Sequence, residues 1–222
     1  MVRDNLIKVY EELPPEVKLV AVSKFHPCED IMEAYNAGQR RFGENRPQGF
    51  ASKVPQLPSD IEWHFIGHLQ TNKLKMVLPY ASIVESIDSR HLLDAVQKWG
   101  SENGKVIDVL LELHLGAEET KGGFSELEIE DILSSANGAA EGEFSHVRFR
   151  GLMGMATNTD DMTVVEADFA RIEAFKRHLD AKFALPDFTE LSIGMSGDWP
   201  IAIRHGATIV RIGTAIFGPR SY

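Results

Sequence analysis

Eight short runs of apolar and β-branched residues recur along the 222-residue chain, and longer stretches with helical periodicity separate them. Such alternation is typical of parallel strands joined by crossover helices. A parallel sheet of eight strands can close on itself, so the pattern predicts an α/β fold of the (β/α)8 TIM-barrel type. A helix near 2–12 precedes the first strand. The predicted strands are LVAVS (19–23), RRFG (40–43), EWHFIG (62–67), SIVESI (82–87), VIDVLLELHL (106–115), RFRGLMGMA (148–156), ELSIG (190–194) and TIVRIG (208–213).

The turn after the first predicted strand argues against the main alternative architecture. A doubly wound open sheet typically has about six strands and carries a glycine-rich phosphate site in this turn. Here the turn reads SKFHP (23–27) and contains no glycine. The barrel is therefore the favoured interpretation.

The chain is predicted to form one domain over 1–222. Its length is within the range of a single α/β barrel. The segments LPPE (13–16), LPSD (57–60) and LPDF (185–188) are typical of loops inside a domain. No Pro/Ser-rich linker or change of composition divides the sequence.

Charge and cysteine content argue against several classes of protein. The 33 Asp and Glu residues outnumber 23 Lys and Arg, and a net charge of −10 repels a nucleic-acid backbone. No run approaches the roughly 18 apolar residues needed to cross a membrane. The N-terminal segment is too charged for a signal peptide, and the single Cys28 cannot form an intramolecular disulfide. We expect a cytoplasmic protein that binds neither nucleic acid nor membrane.

Lys24 ends the run VAVSK (20–24) and so lies at the carboxyl end of the first predicted strand. Barrel enzymes place their chemistry at this end. Desolvation disfavours an ammonium group, and the resulting amine can condense with an aldehyde. Position alone favours the simpler alternative, an ordinary solvated lysine. The interpretation of Lys24 therefore depends on a second feature of the sequence.

Two small-residue turns near the C-terminus supply this second feature. Ser196 and Gly197 follow the seventh predicted strand and open a predicted helix, and Gly213 and Thr214 follow the eighth strand. Loops at these positions in barrels commonly bind phosphate through backbone N–H groups. Each turn alone is also typical of a helix cap without a ligand. Together they predict a phosphate site at the mouth of the barrel.

Polar residues elsewhere also follow predicted strands. We expect Asn45, His64 and Asn72 to line the mouth. A metal site formed by His64 and His68 is the alternative, but their spacing of four suits a helix, and this segment has the pattern of a strand. Arg211 on the last strand either forms an ion pair within the barrel or points into the mouth.

Seven motifs in order carry a resemblance to a known family: VAVSK, FGEN, WHFIGHLQTNK, EETKGGF, GLMGMAT, SIGMSGD and IRHGATIVRIGTAIFG. The sequence resembles the pyridoxal-phosphate homeostasis protein family, short single-domain relatives of the N-terminal barrel of alanine racemase. An ordered series that covers essentially the whole chain is far more specific than any single motif. The resemblance implies an alanine-racemase-like barrel (PLP fold type III) without the C-terminal β domain.

The resemblance also implies a role for individual residues. The family binds pyridoxal 5'-phosphate (PLP) as a Schiff base on the lysine of VAVSK, which is Lys24 here. The serine of SIGMS and the glycine and threonine of RIGT hold its phosphate, and the arginine of VRIG faces the pyridine nitrogen. The predicted cofactor contacts are Lys24, Asn45, His64, Ser196, Gly197, Arg211, Gly213 and Thr214.

Two segments depart from the family pattern. Residues 46–49 read RPQG where an aromatic residue followed by Val-Gln-Glu is usual, and Gly154 stands where threonine is commoner. The first departure puts local contacts with the cofactor in doubt. Neither departure involves Lys24.

The resemblance implies a protein that binds, buffers and delivers PLP rather than an enzyme. Alanine racemase takes a second acid/base, a tyrosine, from a C-terminal domain of its partner subunit, and this sequence ends at Tyr222 without that domain. One positioned proton-transfer group contributes roughly 10²- to 10⁴-fold in rate, and an arginine at the ring nitrogen weakens the electron sink. A slow amino-acid racemase is the alternative function. The expected partners are PLP-dependent apo-enzymes, and the expected assembly is a monomer or weak dimer.

Overall fold

A closed barrel of parallel strands forms the centre of the molecule. The computed structural model describes residues 1–116, 122–137 and 143–219. Within these residues eight strands follow the order β1-β2-β3-β4-β5-β6-β7-β8, and β1 pairs with β8 to close the barrel. The predicted (β/α)8 fold is confirmed. The strands are β1 Lys18–Val22, β2 Arg41–Glu44, β3 Glu62–Phe65, β4 Ile83–Ile87, β5 Ile107–Leu113, β6 Val147–Gly154, β7 Glu190–Met195 and β8 Ile209–Ile212.

Helices surround the barrel, and local capping fixes several of their ends. The Ser89 hydroxyl accepts a hydrogen bond from the Leu92 N–H at the start of α5, and Asp161 accepts one from the Thr163 N–H at the start of α7. Gly104 ends α5 in the left-handed conformation, with φ of 61°. The helices are α1 Val2–Glu12, α2 Cys28–Asn36, α3 Pro47–Lys53, α4 Leu74–Val77, α5 Arg90–Asn103, α6 Glu126–Asn137, α7 Met162–Phe183, α8 Trp199–Arg204 and α9 Thr214–Phe217.

The apolar residues form two layers because side chains alternate across each strand. The larger layer lies between the sheet and the helices, where Phe50 of α3 packs edge-on against Trp63 and Phe65 of β3. A small cluster of Ile83, Leu110 and Met153 is separate from this layer. No helix in the described part of the chain is both long and apolar enough to span a membrane.

Candidate functional site

Lys24 lies at the carboxyl end of the barrel, where the sequence places it. It occupies the turn between β1 and α2 and is half-buried. The next residue, Phe25, has φ of 69°, a backbone conformation that side chains other than glycine rarely adopt. Such strain is common at functional sites, where surrounding structure holds it in place.

The turns after β7 and β8 meet beside β1. The Gly213 N–H donates a hydrogen bond to Ser196 Oγ at 3.2 Å. A Cβ on Gly213 would lie 3.2 Å from the carbonyl oxygen of Val22, two residues before Lys24. The two turns therefore converge, next to the strand that leads to the lysine.

Backbone donors in these turns have no acceptor within the protein. The N–H groups of Gly197 and Thr214 form no hydrogen bond within residues 1–116, 122–137 and 143–219. Both residues are exposed, whereas Ser196 is half-buried. Helix α8 begins at Trp199 rather than at Ser196, so Ser196 and Gly197 lie in the loop before the helix. A role as phosphate ligands remains a prediction for these residues.

Asn45 follows β2 and carries an unsatisfied acceptor. Its Oδ1 atom is buried and has no hydrogen-bond partner among the residues that the structure describes. The loop after β3 packs closely on its backbone, because a Cβ on Gly67 would lie 2.2 Å from the Asn45 carbonyl oxygen. Buried polar atoms are normally paired, so an unpaired one in a cleft is a candidate ligand contact.

Arg211 lies inside the barrel and is 4% exposed. Its Nη1 donates to the carbonyl oxygen of Ser192 at 2.8 Å and to Ser192 Oγ at 2.5 Å, and its Nη2 donates to the Gly154 carbonyl oxygen at 3.0 Å. A guanidinium group has five N–H donors. The Nε–H and one Nη2–H of Arg211 therefore have no partner within the described residues. They are available to a ligand.

The prediction that His64 lines the mouth is wrong. His64 borders a cavity of about 260 Å³ whose other walls include the first residues of four strands, Lys18, Arg41, Glu62 and Glu190. This cavity opens at the amino end of the barrel, opposite Lys24. His64 faces the barrel interior, where its ring contacts Glu85, and it borders the amino-end cavity rather than the mouth.

The rings of His64 and His68 contact different carboxylates. Nδ1 of His64 hydrogen-bonds Glu85 Oε1 at 2.5 Å, and Nδ1 of His68 hydrogen-bonds Asp88 Oδ2 at 2.6 Å. No cluster of three or more metal-ligating side chains occurs in the described residues. Asn72 is exposed in a short 3-10 turn.

Two conspicuous carboxylates of the barrel interior were missed by the sequence prediction. Glu85 is fully buried on β4, and Glu112 is 6% exposed on β5. The available signal is a single acidic residue inside an otherwise apolar strand, as in VESI and LLEL. Burial and, to a smaller extent, the negative charge of Asp88 raise the pKa of Glu112 to about 7, against the opposing positive charge of Arg211.

The two departures from the family pattern differ in their location. A Cβ on Gly154 would lie 2.8 Å from Ile172 Cδ1 of α7, so this position faces the outer helices. Arg46, Gln48 and Gly49 line a cavity of about 570 Å³ beside Phe25 and Asn45. Of the two departures, the one at residues 46–49 therefore borders the mouth. Residues 118–121 of the motif EETKGGF lie outside the described residues.

Comparison with known proteins agrees with this architecture. The family model described as alanine racemase, N-terminal domain, matches residues 1–221. A protein of Aquifex aeolicus named pyridoxal phosphate homeostasis protein is 40% identical over 208 residues, which cover 92% of this chain and 88% of the relative.

Two solved structures complete the comparison. PipY of Synechococcus elongatus, solved with PLP bound, is 35% identical with a TM-score of 0.88, covering 98% of this chain and 100% of PipY. Alanine racemase of Corynebacterium glutamicum is 16% identical with a TM-score of 0.74, covering 97% of this chain and 59% of the racemase, and shows a shared fold alone. The chain therefore belongs to the pyridoxal phosphate homeostasis protein family, within the family of alanine racemase N-terminal domains, as its motifs indicate.

Proposed function

We propose that this chain binds PLP as a Schiff base on Lys24 and takes part in the intracellular homeostasis of the cofactor. The observation that carries the proposal is the hydrogen bond from the Gly213 N–H to Ser196 Oγ, which joins the turns after β7 and β8 beside β1. A phosphate in these turns lies next to the strand that bears the lysine. PipY, which is 35% identical, was solved with PLP bound.

The chemistry of the surrounding groups fits PLP. A phosphate needs several donors, and the N–H groups of Gly197 and Thr214 are available for it. The hydroxyl groups of Ser196 and Thr214 can donate as well. The pyridine nitrogen needs one donor, and the Nε–H of Arg211 supplies it. The acceptor at Asn45 Oδ1 matches a hydroxyl donor of the ligand.

Each group has a distinct task in this proposal. Bound PLP supplies an aldehyde carbon and an electron-withdrawing ring. The Lys24 amine holds the aldehyde covalently, and the phosphate turns fix the opposite end. Arg211 stays protonated and so keeps the ring nitrogen unprotonated, which weakens the ring as an electron sink. This arrangement favours storage of the cofactor over carbanion chemistry.

A carrier role fits the name of the Aquifex aeolicus relative, pyridoxal phosphate homeostasis protein. One observation favours slow amino-acid racemisation as a second candidate function. Glu112, with a pKa of about 7, lies near the mouth and is poised to exchange protons at neutral pH. Under the carrier hypothesis, PLP-dependent apo-enzymes receive the cofactor and are the expected partners.

Borohydride reduction of the PLP-loaded protein tests the proposal. We expect a covalent adduct that peptide mapping locates at Lys24, and complete loss of the adduct in Lys24→Ala. Lys18→Ala is a matched control, because Lys18 begins the same strand at the opposite end of the barrel. An adduct that persists in Lys24→Ala would show that another amine carries the cofactor.

Incubation with L- or D-alanine separates the two candidate functions. We expect enantiomer exchange far below the median enzyme turnover of about 10 s⁻¹. Turnover near that value, abolished in Glu112→Gln, would establish a racemase instead. Reactivation of a PLP-dependent apo-enzyme by the loaded protein, faster than by an equal amount of free PLP, would support delivery.

A further inference from the structure

A chain of buried polar groups crosses the barrel interior from its amino end to Arg211. Nδ1 of His64 hydrogen-bonds Glu85 Oε1 at 2.5 Å. The other carboxylate oxygen, Glu85 Oε2, accepts a hydrogen bond from Ser192 Oγ at 2.6 Å and lies 3.6 Å from Arg211 Nη1. Arg211 Nη1 in turn donates to Ser192 Oγ. The chain thus joins side chains from β3, β4, β7 and β8.

The charges of these hydrogen-bonded side chains balance one another. Burial by itself raises the pKa of Glu85, but the hydrogen bond and charge of His64, the charge of Arg211 and the Ser192 hydroxyl outweigh burial and lower it. Glu85 is therefore ionised at neutral pH and provides the negative charge that a buried guanidinium requires. The charges of Glu112 on β5 and of Asp198 in the loop after β7 also act on Arg211.

We propose that Glu85 is a positioning residue of the cofactor site, which fixes the guanidinium of Arg211 and is itself anchored by His64. The inference rests on the proposed PLP site. The contacts of Arg211 with Ser192, Gly154 and Glu85 engage its Nη groups and leave the Nε–H unengaged. Glu85 thereby determines which edge of the guanidinium group faces the ligand. It also partly neutralises the positive charge that the ligand ring meets.

This proposal gives His64 a function at the end of the barrel where the structure places it. His64 borders the amino-end cavity, so solvent approaches these hydrogen-bonded side chains from that side. A histidine on this cavity and an arginine directed toward the mouth share one carboxylate. We therefore expect a substitution of His64 itself to affect Arg211 through Glu85.

Glu85→Gln tests the proposal with a side chain of the same size. We expect PLP affinity to fall by about tenfold, comparable to the loss of other buried partners that orient ligand-binding groups. We also expect the pH midpoint of the visible absorbance band to move lower, because loss of a nearby negative charge disfavours a protonated Schiff base. The titratable and charged groups that face Glu85 and Arg211 are His64, Glu112 and Asp198.

A measurement without cofactor distinguishes positioning from general destabilisation. In the apo-protein, the NMR signal of the Arg211 Nε–H should be sharp in the wild type and broadened or shifted in Glu85→Gln. Glu190→Gln is a matched control, because Glu190 is also buried on the barrel wall but pairs with Lys18 and Thr208 instead. It should leave PLP affinity and the Arg211 signal unchanged.

A double variant tests whether Glu85 acts through Arg211. In an Arg211→Gln background, the additional effect of Glu85→Gln on PLP affinity should disappear. If Glu85→Gln does not fold, Ser192→Ala provides the same test, because it removes the hydroxyl that links Glu85 to Arg211. It should produce a smaller loss in the same direction.

The outcomes separate this inference from the proposed function. Failure of the wild type to form an adduct at Lys24 overturns the proposed function. A wild type that loads normally, with Glu85→Gln equal to it in affinity and absorbance midpoint, overturns only the role of Glu85. If Glu85→Gln lowers PLP affinity by the same factor in the wild-type and Arg211→Gln backgrounds, the role of Glu85 is also overturned.

Discussion

The two ends of the barrel use polar groups in different ways. At the amino end, Lys18 pairs with Glu190, Arg41 pairs with Glu62 at 2.9 Å, and Arg148 pairs with Asp108 at 2.7 Å. At the carboxyl end, by contrast, Asn45 Oδ1 has no partner within the described residues. The N–H groups of Gly197 and Thr214 likewise lack an acceptor in that part of the chain.

This difference indicates that the polar groups of the amino end stabilise the fold, whereas those of the carboxyl end can bind a ligand. Charges that neutralise one another offer little to a ligand, whereas a buried acceptor without a partner among the described residues, such as Asn45 Oδ1, gains free energy when a ligand pairs with it. In barrels, residues at the carboxyl end carry function and those at the amino end carry stability. The chain from His64 through Glu85 to Arg211 connects the two ends.

The largest effect is expected where the carboxyl end is packed most closely. Gly67→Ala would place a Cβ 2.2 Å from the Asn45 carbonyl oxygen, so the backbone must move. We expect a loss of about 3 kcal/mol in the free energy of unfolding. Gly49→Ala is the control, because among the described residues no atom outside its own stretch of α3 lies within 4 Å of the added Cβ, and alanine should be neutral or slightly stabilising in α3. Urea denaturation measures the free energy of unfolding of both variants. Equal stability of Gly67→Ala and Gly49→Ala would contradict the close contact at Gly67.

Glu112 should make stability depend on pH at the mouth. Its folded-state pKa of about 7 lies above the ordinary value of 4.5, so its contribution to stability is complete below pH 4.5 and is lost as the pH rises through 7. At pH 8 the cost to the folded state is at most about 3 kcal/mol. Glu112→Gln should remove this loss. The measurement is urea denaturation at pH 5.5 and 8, and an identical pH dependence in the variant would exclude Glu112 as its source.

The smallest effect is expected at the amino end. Arg41→Gln removes an ion pair whose side chains are 36% and 49% exposed, and such pairs contribute less than about 1 kcal/mol. We expect PLP affinity to be unchanged, because the pair lies across the barrel from Lys24. Titration with PLP measures the affinity, and weaker binding by Arg41→Gln would show that this surface ion pair also contributes to the site.

Individual residues show how far the sequence predicts the site. The turns at Ser196 and Gly213 were identified from their positions after strands, and the structure joins them by a hydrogen bond. His64 was misplaced, because sequence position does not give the height of a residue in a barrel of tilted strands. Glu85 and Ser192 were missed as partners of Arg211, because they lie 126 and 19 residues from it in sequence.

The sequence by itself determined the eight strands, the closed barrel and the end of the barrel at which Lys24 lies. These features follow from local periodicity and from the parallel direction of the strands, so each can be inferred from neighbouring residues. Only the tertiary structure decided the pairing of charges at the amino end, the position of His64 and the partners of Arg211. Those contacts join distant strands across the barrel interior, and their geometry depends on how the closed sheet staggers its strands.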